Sequence, residues 1–134
     1  MRSIRPVLTV LIVDDEPNVV DLVRVTLEDE RVRVLDAPDA ATALETLAAL
    51  QPDLVLLDVN LPDRSGFEIC RFIRDDAVLT RTKVVMLTAA AQHEDIARGH
   101  AAGANHYLTK PFSPVRLLSL VEELLPHSVL WARR

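Results

Sequence analysis

At 134 residues and 14.9 kDa, with 49% hydrophobic and 26% charged residues, the chain has room for one globular domain with a sizeable core and none for a second large one. A net charge of -5 and a pI near 5.3 argue against a broad phosphate-backbone-binding surface and leave room only for a small local basic patch, so nucleic acid is not the expected partner. A lone cysteine, Cys70, excludes an internal disulfide, and neither the first residues nor the short run VLTVLIV has the length of a leader or a membrane span; the expected location is cytoplasmic, away from membranes.

The apolar period changes repeatedly along the chain. Val7 to Val13 is a near-continuous aliphatic run, as in a central parallel strand covered on both faces. Pro17 opens a helix whose Val19, Leu22, Val23, Thr26 and Leu27 share one face. Val32 to Leu35 predicts a short second strand, and Asp39 precedes a helix with an inner stripe of Ala40, Ala43, Leu44, Leu47 and Ala48. Leu54 to Leu57 repeats the first strand and ends on Asp58. A loop with Pro62 and Gly66 then leads to a helix carrying Phe67, Ile69, Cys70 and Ile73. KVVMLTAA is a fourth strand ending at Thr88. Ile96 to Ala102 reads as a weaker helix closed by Gly103, and His106 to Thr109 as a fifth strand. After KPFSP, a last helix is built on Val115, Leu117, Leu118, Val121, Leu124 and Leu125. Alternating strands and helices with short loops predict an open α/β fold of the doubly wound, flavodoxin-like kind, a (βα)5 sandwich with a five-stranded parallel sheet in the order 2-1-3-4-5.

In such a sheet the functional crevice lies outside the carboxyl ends of the strands. Those ends carry Asp14 and Asp15, Asp58, Thr88 and Lys110. Three carboxylates brought together raise one another's pKa and are costly to desolvate, a conflict that a hard divalent cation removes. Oxygen ligands from loop ends suit Mg²⁺, with Mn²⁺ as a substitute. Glu16 is expected to face solvent as a capping residue and not to ligate. A hydroxyl and an ammonium at the same edge suit phosphoryl oxygens, and Asp58 is then a nucleophile forming an aspartyl phosphate. An isolated acid pair is more often a helix cap; the signal is five residues, each at its own strand end.

LIVDDEP, DLVLLDVNLPDRSGFEIC, VVMLTAA and GANHYLTKPF together resemble the successive segments of the receiver domain of two-component response regulators. The resemblance implies residues 1–126 as that domain and 127–134 as a tail or the start of a linker. It implies Asp58 as acceptor of phosphate from a histidine kinase or a histidine phosphotransfer protein. Metal ligands would be Asp15 directly, Asp14 through water, Asp58, and the backbone carbonyl of Asn60. Thr88 is implied as the hydroxyl that turns toward the phosphoryl group, Lys110 as its ionic partner, Pro111 as a cis-proline, and Tyr107 as a switch aromatic; its place in a short edge-like strand before Lys110 predicts that Tyr107 is partly exposed at rest. The implied partner surface, and a homodimer contact, is the face of the fourth helix, fifth strand and fifth helix. Leu61 stands where the family often has methionine, and Ala90 is small, leaving the lifetime of the phosphate open.

His93 and His100 lie seven apart, too far for a shared ion at a rise of about 1.5 Å per residue, so the four histidines are expected to be surface residues without catalytic work. Phe112 is expected to pack beside Pro111, and Trp131 in PHSVLWARR belongs to a frayed end or a docking tail. Two other functions compete with the switch. A small Mg²⁺-dependent phosphohydrolase with an aspartyl-phosphate intermediate would want a second carboxylate where Asn60 stands. A flavin carrier would want a Ser/Thr/Gly-rich loop where DDEP would repel the flavin phosphate.

Overall fold

The computed structural model describes residues 8–89 and 93–125, the side chains of residues 93–95 excepted. The predicted features at Val7, Ala90, Pro126, His127 and Trp131, and the side chain of His93, lie outside the described residues. In chain order the elements are β1 (Leu8–Val13), α1 (Pro17–Leu27), β2 (Val32–Ala37), α2 (Ala40–Ala49), β3 (Leu54–Asp58), α3 (Gly66–Asp75), β4 (Lys83–Thr88), α4 (His93–Ala102), β5 (His106–Thr109) and α5 (Pro114–Leu124). All strand pairs are parallel and the order is β2-β1-β3-β4-β5, the doubly wound arrangement expected from the sequence.

Side chains alternate across the pleat, and the alternation divides the core in two. Leu11 and Val13, Val55 and Leu57, and Val84 and Met86 pack with α2, α3 and Ala102 of α4 on one face. Val10 and Ile12, Leu54 and Leu56, and Val85 and Leu87 pack with α1 and α5 on the other. β1, β3 and β4 are therefore aliphatic on both sides along their central residues, which explains why they appear in the sequence as near-continuous apolar runs. No helix among the described residues is long and apolar enough to cross a membrane.

Several boundaries and faces differ from the sequence reading. β2 continues two residues past Leu35, because Asp36 and Ala37 keep register with Ile12 and Val13. α4 begins at His93 rather than Ile96. Ala48 lies outside the buried stripe of α2, which consists of Ala40, Ala43 and Leu47 with Leu44 half-buried. On α5, Val115 is 76% exposed and Leu120 takes the inner position. Both shifts follow from a 3.6-residue period read from the wrong phase at a helix end.

The helix starts carry their own chemistry. Asp39 caps α2, accepting from the Thr42 amide at 2.8 Å, and Ser65 with Glu68 forms a capping box on α3. Asp63, 23 residues beyond the start of α2, also reaches it, accepting from the Ala40 and Ala41 amides at 2.8 and 3.0 Å. These amide hydrogen bonds, the Ala40 bond foremost, hold the Asp63 carboxyl below its ordinary 3.8. A depressed folded-state pKa contributes stability above the unfolded value and loses it as pH falls through the folded value. Asp63→Asn is accordingly expected to lower the thermal midpoint slightly at neutral pH. The difference from wild type should close as pH drops below 3.8, which thermal melts across an acid pH series would record.

Candidate phosphoryl and metal site

The carboxyl ends of β1, β3, β4 and β5 bring the predicted polar residues to one edge. Asp14 follows β1; its amide donates to the Ala37 carbonyl at 3.0 Å, and its Oδ1 accepts from the Glu16 amide at 2.9 Å, so Asp14 shapes the turn into α1. Asp58 ends β3, and its Oδ1 accepts from the Asn60 amide at 3.2 Å. Thr88 ends β4 and is buried; its carbonyl accepts from the Lys110 amide at 2.7 Å, which ties the start of the β5–α5 loop to β4. The Lys110–Pro111 peptide bond is cis, and Phe112 is buried in the core behind it.

Lys110 is the hub. Its Nζ lies 2.6 Å from Glu16 Oε1, 2.7 Å from Asp14 Oδ2 and 3.4 Å from Asp58 Oδ2. Burial by itself would lower the pKa of the ammonium, but the pairing with Asp14 and Glu16 and the charge of Asp58 outweigh it, and the net displacement is upward. Burial, and after it the charge of Asp14, holds the Asp58 carboxyl above its ordinary 3.8; the Asn60 amide and Lys110 offset only part of this.

Glu16 corrects the sequence reading. It faces solvent at the N-cap position of α1, but its side chain makes no capping hydrogen bond and turns to Lys110 instead. Among the described residues, Asp14, Glu16 and Asp58 place carboxylate oxygens within 4.8 Å of one another. Asp15 is exposed, stands outside that group, and opens with Asp14, Asp21 and Asp36 onto a neighbouring groove of about 200 Å³.

The donor set fits a divalent cation. Three carboxylates face one ammonium, and Asp14 Oδ2, fully buried, receives no aligned hydrogen bond from the protein although the Lys110 ammonium lies beside it. Oxygen-only donors of this kind, at an edge open to water, suit a hard ion such as Mg²⁺.

Asn60 is exposed and bridges to Ser65, while Val59 and Leu61 anchor the loop in the core. Gly66 closes this loop by donating to the Val59 carbonyl at 2.8 Å. A Cβ at Gly66 would strike the carbonyl oxygen of Asp58 and lie 2.9 Å from its carbonyl carbon, both backbone atoms that cannot swing aside. Gly66→Ala is therefore expected to cost about 2 kcal/mol in denaturant unfolding and to displace Asp58, weakening any chemistry there.

Tyr107 is half-buried against α4, with its hydroxyl donating to the Ile96 carbonyl and its ring edge-on to His100 at 5.4 Å. Burial holds the phenol above its ordinary 10. His106 lies 3.4 Å from Glu123, and among the described residues neither it nor His100 joins a group of metal-capable side chains. Cys70 is buried, and burial pushes its thiol up to about 11, consistent with a packing role.

Residues 10–122 match the family model described as the response regulator receiver domain. Over 116 residues the chain is 40% identical to the DNA-binding dual master transcriptional regulator RpaA of Synechocystis sp., a match that covers 87% of this chain and 48% of that protein. The chain spans about half the length of this and the next two curated relatives, whose matched shares are 50% and 51%. Among solved structures it resembles the chemotaxis response regulator CheY4 of Vibrio cholerae, with a TM-score of 0.83 and 34% identity over 88% of this chain and 98% of that one. It also resembles a putative response regulator from Chloroflexus aurantiacus, with a TM-score of 0.84 and 32% identity over 92% of this chain and all (100%) of that one. Fold, edge chemistry and family match agree, and the chain belongs to the receiver domains of two-component response regulators.

Proposed function

We propose that residues 1–126 form a phosphorylation-controlled signalling switch that takes a phosphoryl group on Asp58 and catalyses only its own phosphorylation and dephosphorylation. The observation that carries this reading is the Lys110 ammonium held among Asp14, Glu16 and Asp58 at the carboxyl edge of the sheet. A carboxylate oxygen of Asp58 attacks phosphorus. The phosphorus–nitrogen bond of a phosphohistidine breaks, its electron pair returns to the imidazole, and the donor is a histidine kinase or a histidine phosphotransfer protein. Lys110 balances charge on the transferring group, and the Thr88 hydroxyl donates to one of its oxygens. Mg²⁺, or Mn²⁺, held by Asp15, Asp58, the backbone carbonyl of Asn60 and, through water, Asp14, would neutralise phosphoryl oxygens.

Once Asp58 carries the added charge, Thr88 moves toward it and Tyr107 leaves its seat on α4 for the space behind Thr88. The surface of α4, β5 and α5 then changes for a protein partner or a second copy. The net charge of -5 argues against nucleic acid binding through this domain. Residues 127–134 are read as a tail or linker, and the setting as cytoplasmic. Amide NMR with beryllofluoride and Mg²⁺ tests the switch. Coupled changes at Thr88, Tyr107 and the α4–β5–α5 face are expected; changes confined to the Asp58 loop would overturn the coupling, and sedimentation of the same samples reads out dimerisation.

A further inference from the structure

A second feature shares no residue with the carboxylate edge. Between α3 and α4 runs an open groove of about 540 Å³, bordered by Arg64, Arg71 and Arg98 and carrying Phe67 and Phe72. The Arg98 guanidinium lies 4.5 Å from the centroid of the Phe67 ring, and Phe72, a large apolar side chain, is 41% exposed. Arg71 makes one long hydrogen bond, 3.4 Å, to the Ala101 carbonyl. Among the described residues, none of the three arginines forms a salt bridge with a carboxylate, although the charge of Arg64 acts on the neighbouring Asp63; the salt bridges there belong to Arg24, His106 and Lys110. Glu68 and Asp75 also border the groove, but Glu68 is committed to the Ser65 amide in the α3 cap.

Three guanidinium groups beside an exposed aromatic ring, in a chain of net charge -5, mark this face as complementary to an acidic surface. Stacking on Phe67 holds Arg98 in place before any contact is made, which lowers the entropy cost of binding. The segment PHSVLWARR is a poor occupant, since it has no acidic side chain and two arginines. We propose that the α3–α4 groove docks an acidic segment of a partner protein, whose carboxylates meet Arg64, Arg71 and Arg98 while one apolar side chain packs on Phe72.

The test is to pan a peptide-display library on the full chain, with counter-selection on the Arg71→Glu/Arg98→Glu variant. Recovered peptides should carry carboxylates flanking an aromatic or aliphatic residue. A synthetic copy should perturb the backbone amides of residues 66–75 and 96–102, and its affinity should fall about tenfold or more in the variant and as salt rises. The variant should keep its phosphoryl acceptance and thermal midpoint; if it does not fold, Arg64→Gln/Arg71→Gln replaces it. Peptides lacking carboxylates, amide changes elsewhere, or equal affinity for the variant would overturn the proposal. So would a dimer in sedimentation that the variant abolishes, because the occupant would then be a second copy.

Discussion

Asp58→Asn is expected to raise the thermal midpoint of the metal-free protein while removing its capacity to be phosphorylated. Burial and the neighbouring Asp14 charge hold the Asp58 carboxyl above its ordinary 3.8 in the folded state. Below that value the group is protonated in both folded and unfolded chains and costs nothing. As pH rises through it, the unfolded chain ionises first, so folding loses stability until the folded carboxyl ionises as well; above that point the loss is constant. Asparagine keeps the shape and removes the charge. The gain at neutral pH should be on the order of 1 kcal/mol, or about 4 °C in the midpoint, and should vanish below pH 3.8. Magnesium should stabilise the wild type more than the variant, because the ion loses one of its carboxylates. Melts with and without Mg²⁺ at several pH values read both effects. A midpoint that falls in metal-free buffer would mean that Lys110 already compensates the Asp58 charge in full.

The opposite substitution at the same cluster should have the opposite sign. Lys110→Ala removes the ammonium that lies beside three carboxylates, of which Asp14 and Asp58 are buried. Leaving a buried charge without its partner costs about 3 kcal/mol or more, so metal-free Lys110→Ala should unfold at clearly lower denaturant concentration. Added Mg²⁺ should recover a larger share of stability than it gives the wild type. Phosphoryl acceptance from a small-molecule donor should nevertheless stay slow, because the cation that balances the transferring group is gone. Denaturant titrations with and without Mg²⁺, alongside phosphorylation time courses, separate the two losses.

The sequence made the sheet legible where local pattern and tertiary environment coincide. VLIV and LVLL sit in strands covered on both faces, so no polar residue interrupts them, and the acids that follow are placed at the functional edge by strand polarity alone. What the sequence hid depends on contacts between distant segments. Glu16 and Lys110 are 94 residues apart, and no local rule indicates that the third acid of DDE turns to that lysine instead of capping its own helix. Asp63 serves the start of α2 from a loop beyond β3, again a nonlocal pairing. The capping box of α3 was available in the sequence, since S-x-x-E is spelled by Ser65 and Glu68. The outward turn of Val115 was not, because the apolar side chains near the start of α5 admit two phases of the helical period and packing against α1 chooses between them.

The most direct measurement is to incubate the protein with acetyl phosphate, with and without magnesium, and to map the modified residue by mass spectrometry. One phosphoryl group on Asp58, formed with magnesium, suppressed by a chelator and absent from Asp58→Asn, is the predicted result. An adduct that forms equally well without the metal, that maps to another residue, or that never forms would contradict the account.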